Sequence, residues 1–300
     1  MLIIKYRKIF YIFTTLLIVG AIFSINFFGL DLGIDFTGGS ILEVSYLNEV
    51  PNKEVLNGRL NSLAIGGFSL RSAGERGFIL RTQEIKDSTR ISILKALSLN
   101  GKFQVRQERF DTVGPVIGNE LKNKAFAAII IVIVAIVLFI AFVFRKVSEP
   151  VSSWKYGLIA VLALLHDVLI PIGVFAVLGH FFGSEINVLF VMALLAILGY
   201  SVNDTIVVFD RVRENLKLNK ELNRKEDFEL TVGKSLSQTY ARSINTSLTT
   251  ILALLALFFL GATATQDFAL VLITGIIAGT YSSIALATPL LVTWSGIKNK

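Results

Sequence analysis

Two residues in "GYSVNDTIVVFDR", positions 199–211, are the wrong type for their surroundings. Asn203 and Asp204 lie in a run, 187–209, that is otherwise apolar enough to cross a bilayer, and an ionisable group there is expensive. A carboxylate in that position can bind and release a proton, pair with a cation, or act as one of two aspartates in hydrolysis. Steps of three and four residues put Tyr200, Ser201, Asp204 and Arg211 near one helical face. Asp204 comes six residues before Asp210, roughly 9 Å inside that end of the run at 1.5 Å per residue.

A later apolar run carries a polar stripe. Ser235, Gln238, Thr239, Arg242, Thr246 and Thr249 follow helical spacing. Arg242 falls at a depth compatible with Asp204. It reads either as an anchor that snorkels to the interface or as a counter-charge for the carboxylate. A third polar point is "LLHDVLIPIG" (164–173), which puts His166 and Asp167 inside another run with Pro171 one turn later. His166 is open to two roles, a proton relay or a satisfied interhelical hydrogen bond. Gly275 and Gly279, continued by Ser282 and Ser283, have the spacing of a helix-packing face, and no chemistry is expected of them. The sequence contains no cysteine and no cluster with metal-ligand spacing, so neither catalytic residues nor a metal or other cofactor is expected.

The elements that must position these residues are membrane spans. The chain is 53% hydrophobic and only 17% charged, and its apolar residues come in blocks about 20 long. Six blocks qualify: 9–28, 125–144, 157–178, 187–209, 241–260 and 268–291. The first follows Lys5, Arg7 and Lys8 and lacks a small-residue cleavage pattern, so it is expected to be retained. With that end in the cytoplasm, Arg145, Lys146, Lys155, the basic loop Arg211, Arg213, Lys217, Lys220, Arg224, Lys225, Lys234 and Arg242, and the tail residues Lys298 and Lys300 also fall inside. The short loops 179–186 and 261–267, which hold no Lys or Arg, fall outside. The formal charge of +7 therefore reads as an orientation signal, and nucleic acid is not expected as a partner.

Between the first two spans, residues 31–124 must form a domain on the outer side. Strand-like stretches 41–47, 68–72, 78–82 and 103–110 alternate with helix-like 53–63 and 87–97, giving the order βαββαβ of a ferredoxin-like α+β fold. The expected organisation is residues 1–30 with the first span, 31–124 as this domain, and 125–300 with spans two to six, a cytoplasmic loop at 210–240 and the tail. "DLGIDFTGGS" (31–40) leads into the domain. Gly33, Gly38 and Gly39 there supply either a tight turn or a hinge.

Five stretches in order, "DLGIDFTGGS", "GPVIGNEL" (114–121), "LLHDVLIPIG", "GYSVNDTIVVFDRVREN" (199–215) and "ARSINTSLTT" (241–250), resemble the motifs of the SecF family of bacterial protein-export membrane proteins. The resemblance spans nearly the whole chain. The short outer domain favours SecF over its sister SecD. It implies a six-helix bundle forming half of a resistance-nodulation-division-type unit. It also implies action with SecD, powered by the proton-motive force, on preproteins crossing the cytoplasmic (inner) membrane. Implied partners are SecD, the SecYEG channel, SecA and YidC, the preprotein and membrane lipid. The implied proton pathway is Asp204 and Arg242. The polar positions read from the sequence itself, Asn203, Tyr200, Ser201, Thr246, His166 and Asp167, are expected to support it. A half-size small-solute exporter is the alternative. An intramembrane aspartyl protease, for which Asp167 and Asp204 would be the pair, fits less well, because Asp204 sits in "SVND" and not in "GxGD".

Overall fold

A computed structural model describes residues 2–63, 65–143 and 153–296. Arg145, Lys146, Lys298 and Lys300 of the orientation argument lie outside the described residues. The chain divides into two compact units, Leu32–Phe126 on the one hand and Met1–Asp31 with Ala127–Lys300 on the other. In order the elements are α1 (Leu2–Lys5), α2 (Arg7–Phe28), α3 (Ile34–Thr37), β1 (Gly39–Tyr46), α4 (Lys53–Asn61), β2 (Phe68–Ala73), β3 (Gly77–Thr82), α5 (Asp87–Leu97), β4 (Val105–Val113), α6 (Pro115–Val143), α7 (Ser153–Phe182), α8 (Val188–Glu221), α9 (Phe228–Leu260), α10 (Thr263–Ser282), a π-helical turn (Ser283–Ala287) and α11 (Thr288–Gly296).

The small unit is a four-stranded antiparallel sheet in the order β2-β3-β1-β4, which is the ferredoxin-like topology its βαββαβ order implies. Alternation along β1 turns Leu42, Val44 and Tyr46 to one face, and the register sets Leu42 opposite Leu80 and Val44 opposite Phe78. Leu56 and Leu60 of α4 and Ile93 and Leu97 of α5 close that face. Asn52 starts α4 by accepting a hydrogen bond from the Glu54 amide at 2.8 Å. Tyr46 is anchored by donating its hydroxyl hydrogen to the Leu97 carbonyl at 3.0 Å, and burial pushes its pKa up to about 12.

Among the described residues six helices are long and apolar enough to cross a membrane: α2, α6, α7, α8, α9, and α10 continued through the π turn into α11. The last of these is the centre of the bundle. Its apolar window is 72% buried, against 6% for α6 and 11% for α2 and for α9. Close approach depends on small residues. A Cβ added at Gly275 would lie 2.2 Å from Ile197, one at Gly279 3.1 Å from Ser201, and one at Gly173 2.6 Å from Ala21. Helices α8 and α10 therefore run nearly in backbone contact along the stretch that carries Ser201.

Helices α8 and α9 extend well past the apolar runs 187–209 and 241–260. Ion pairs three or four residues apart, Arg213 with Asp210, Arg211 with Glu214 and Lys217 with Glu221, support the extension of α8. Amide side chains join the two helices. Asn215 donates to Ser235 at 2.7 Å and to Gln238 at 2.9 Å, and Asn219 donates to Glu226 at 2.8 Å.

Candidate functional site

Asp204 is half-buried on α8, and its Oδ2 accepts a hydrogen bond from the hydroxyl of Ser283. Ser283 is the first residue of the π turn, where Thr288 closes back onto the Ser283 carbonyl. The cause of the wide turn is visible in the chain. Pro289 has no N–H, so the Ala285 carbonyl loses its ordinary helical donor and the ladder slips by one residue just before it. Single π turns of this kind recur at functional sites.

The hydroxyl of Ser283 also lies 3.1 Å from the Thr280 carbonyl. It can therefore give its hydrogen to an ionised Asp204. When Asp204 is protonated, the serine hydrogen turns to Thr280 and the serine oxygen accepts from the carboxylic acid. Asp204 thus keeps a hydrogen bond in both protonation states. Among the described residues it forms no ion pair.

A second carboxylate lies deeper. His166 and Asp167 on α7 are both fully buried, and His166 Nδ1 is 2.8 Å from Asp167 Oδ1. Asp167 Oδ2 accepts from Ser282 at 2.8 Å and from Ser201. The carbonyl that Pro171 deprives of its donor is that of Asp167 itself. Ser282 and Ser283, neighbours in sequence, thus serve two different carboxylates from two different helices. They were expected only to pack, and nothing in the sequence sets them apart from packing serines.

Tyr200 and Ser201 separate. Tyr200 donates to Ser247 on α9 at 3.2 Å, and Ser247 lies 2.5 Å from Thr280, whereas Ser201 turns to Asp167. Asn203 is exposed. The stripe on α9 divides as well. Ser235 and Thr239, with Ser243 and Ser247, face into the bundle, whereas Arg242, Thr246 and Thr249 are exposed. The structure does not join Arg242 to Asp204. Arg242 lies one residue, about 100° of helix, from the buried Ser243, so its guanidinium points off the face that meets α8 and α10. Thr246 donates to the Arg242 carbonyl at 2.9 Å and does not contact Asp204.

In the small unit, Gly38 and Gly39 have φ of +74° and +126°, a region that disfavours a side chain. They are also packed tightly. A Cβ on Gly38 would sit 2.8 Å from Pro115 Cα and one on Gly39 2.7 Å from the Thr82 carbonyl oxygen. Gly33, at φ −68° and ψ 169°, has an extended backbone open to any residue.

Known proteins resemble this chain in sequence and fold. Residues 93–296 match the model of the protein export membrane protein SecD/SecF C-terminal family, and residues 23–46 match the SecD/SecF GG motif. The chain is 42% identical to protein translocase subunit SecF of Thermobaculum terrenum, over 97% of this chain and 93% of that one. It is 37% identical to SecF of Anaerolinea thermophila, over 96% and 92%. The crystal structure of SecDF from Thermus thermophilus, described as a translocon-associated membrane protein, superposes with a TM-score of 0.84 at 33% identity, covering 99% of this chain and 38% of that chain.

Proposed function

Since the chain belongs to the SecD/SecF family of protein export membrane proteins, a multi-pass family of Sec translocase subunits, we propose that it acts with SecD to couple the proton-motive force to preprotein translocation. The observation that carries this reading is Asp204, a carboxylate in a membrane-spanning helix whose partner is a hydroxyl that serves both of its protonation states. A structural carboxylate would be paired with a cation. Among the described residues Asp204 is not.

Moving one charge through 100 mV yields about 2.3 kcal/mol, enough to shift a two-state equilibrium by more than tenfold. Protonation of Asp204 would reverse the hydrogen of Ser283 and so act on the π turn, in the helix at the centre of the bundle. Chemistry on covalent bonds is not required.

The exposed polar residues on α8 and α9 favour a second helical subunit. The hydroxyls of Thr246 and Thr249 bond back to the Arg242 and Asn245 carbonyls, whereas Asn203, Arg242 and Asn245 leave side-chain donors and acceptors on the outer surface of spans that no described element of this chain covers. Lipid cannot satisfy them, whereas the SecD half of the assembly would. Arg242 would then serve the proton pathway from the subunit boundary. The basic loop after Asp210 and the Lys- and Arg-free turns at 179–186 and 261–267 favour a cytoplasmic N-terminus in the bacterial inner membrane, with the small unit on the outer side. There it would meet the emerging preprotein beside the SecYEG channel.

The decisive experiment is Asp204→Asn in cells depleted of the native subunit. The variant should insert and co-purify with SecD yet lose proton-driven export. Normal export by that variant would defeat the proposal.

A further inference from the structure

We propose that His166 and Asp167 form a second proton-binding site inside the bundle, electrostatically coupled to Asp204; this rests on the proton-carrying reading of Asp204. The pair has what a reversible site requires. In the unloaded form of this proposal the Asp167 carboxylate is ionised, taking the hydroxyl hydrogens of Ser282 and Ser201 on Oδ2 and the Nδ1–H of a neutral His166 on Oδ1, while the Ser282 hydroxyl also lies 3.1 Å from the Gly279 carbonyl. That leaves a net charge of −1 fully buried among membrane spans, without a cation.

His166 Nε2 is buried and has no hydrogen-bond partner among the described residues. Its lone pair is the one open proton acceptor of the pair. A proton arriving from water adds there, no other bond changes, and the product is a net-neutral imidazolium and carboxylate. The ring already lies beside Tyr281, with centroids 5.9 Å apart, an aromatic neighbour that favours a cation. Tyr281 is itself fixed, accepting from Thr14 at 3.0 Å and donating to the Phe10 carbonyl at 3.1 Å.

The ionisable groups around the pair are few. From α8 come Asp204 and Tyr200, whose hydroxyl bonds Ser247, and from α10 Tyr281; α2 brings the hydroxyls of Thr14 and Tyr11, and the π turn and α11 contain no ionisable residue. Lys155, on α7 itself, lies about 16 Å along the helix, bonded to the Trp294 carbonyl. Asp204 is therefore the carboxylate whose charge the imidazole senses, with Ser282 and Ser283 side by side between the two acids. A negative Asp204 favours the loaded imidazolium, and a protonated Asp204 favours its release.

The test exploits the fact that the chain has two histidines. His180 is exposed and lies tilted against Phe28 and edge-on to Phe181, so His180→Gln in the full chain leaves His166 as the one histidine. Nitrogen-15 resonances of labelled histidine in nanodiscs then report its protonation state against pH. The expected result is passage from the neutral form, with its hydrogen on Nδ1, to the cation within the pH range where the fold persists. Asp167→Asn should lower the cationic fraction at fixed pH about tenfold or more, and Asp204→Asn should lower it by a smaller factor. A His166 that stays neutral at every pH at which the chain is folded overturns the proposal, as does one whose titration ignores Asp204→Asn. Because the chain without the Asp167 substitution is read directly, poor folding of that variant does not remove the test. Normal export by Asp204→Asn would overturn the function proposed above and not this site, which is read by resonance and not by export.

Discussion

Ser283 donates its hydroxyl hydrogen to the carboxylate of Asp204 from the first position of a π turn, and the same oxygen stands 3.1 Å from the Thr280 carbonyl of the preceding turn. One hydroxyl thus links the charge state of α8 to the backbone of the bundle's central helix. The link is local and chemical, so it can be cut without removing the acid.

Ser283→Ala keeps Asp204 but removes its hydroxyl partner. A hydrogen bond to a charged group contributes about 1.5–3 kcal/mol, so proton-driven export should fall about tenfold or more without loss of insertion. Asp204→Asn should abolish it. Translocation of a labelled preprotein into inverted membrane vesicles, with and without an imposed proton gradient, compares the two. Equal, undiminished export by Ser283→Ala would show that the hydroxyl merely packs.

Arg242 has an exposed side chain, so its removal should leave the isolated chain intact. Arg242→Ala should shift unfolding of the purified chain by no more than about 0.5 kcal/mol, as for an ordinary surface substitution. Export through the complete assembly should fall in the order Arg, Lys, Ala, because Lys keeps the charge but not the planar fork. A thermal melt of the chain alone beside an export assay of the assembly separates the two roles. Strong destabilisation of the isolated chain would make Arg242 a fold-holding residue instead.

Much of this was legible in the sequence because it depends on period and contrast. Six spans stand out from their length, and βαββαβ from its alternation. Asp204 stands out because a carboxylate in an apolar run is costly. What sequence hides is partner choice. Serines suit a close helix contact as well as they suit a carboxylate, so Ser282 and Ser283 carry no distinguishing mark. Arg242 and Ser243 differ by one position, yet that rotation decides whether a side chain enters the bundle or leaves it. The π turn is equally silent, since Pro289 announces a lost hydrogen bond but not how the helix accommodates it.

The glycine pair can be tested by single methyl groups. Gly38→Ala forces a side chain to φ +74° and ψ 165°, about 1–3 kcal/mol of backbone strain, and also sets its Cβ 2.8 Å from Pro115 Cα, where backbone must move. Gly39→Ala meets the Thr82 carbonyl oxygen at 2.7 Å. Both should destabilise the 32–126 unit and speed its proteolysis in the full chain. Gly33→Ala, at φ −68°, is free of that backbone strain and serves as the control. Equal protease resistance of all three variants would remove the requirement for glycine at 38 and 39.

The turn between α8 and α9 should respond to acid through Glu226. Its carboxylate accepts from Asn219 at 2.8 Å and from Thr231 at 3.2 Å. The Asn219 hydrogen bond leads in holding its pKa below the ordinary value; burial opposes it, and Thr231, Lys234 and Arg224 add to the lowering. A lowered folded value means the unfolded chain binds the proton more readily. The stabilisation is therefore present above the ordinary Glu value of about 4.3 and fades as pH falls from there through the lowered folded value. Amide exchange across residues 222–231, corrected for the intrinsic rate, should accelerate over that acid window and remain flat above it. Glu226→Gln retains an acceptor for Asn219 but cannot titrate, so its exchange should lose the acid dependence. Matching pH profiles in the native chain and the Gln variant would mean that another group controls the turn.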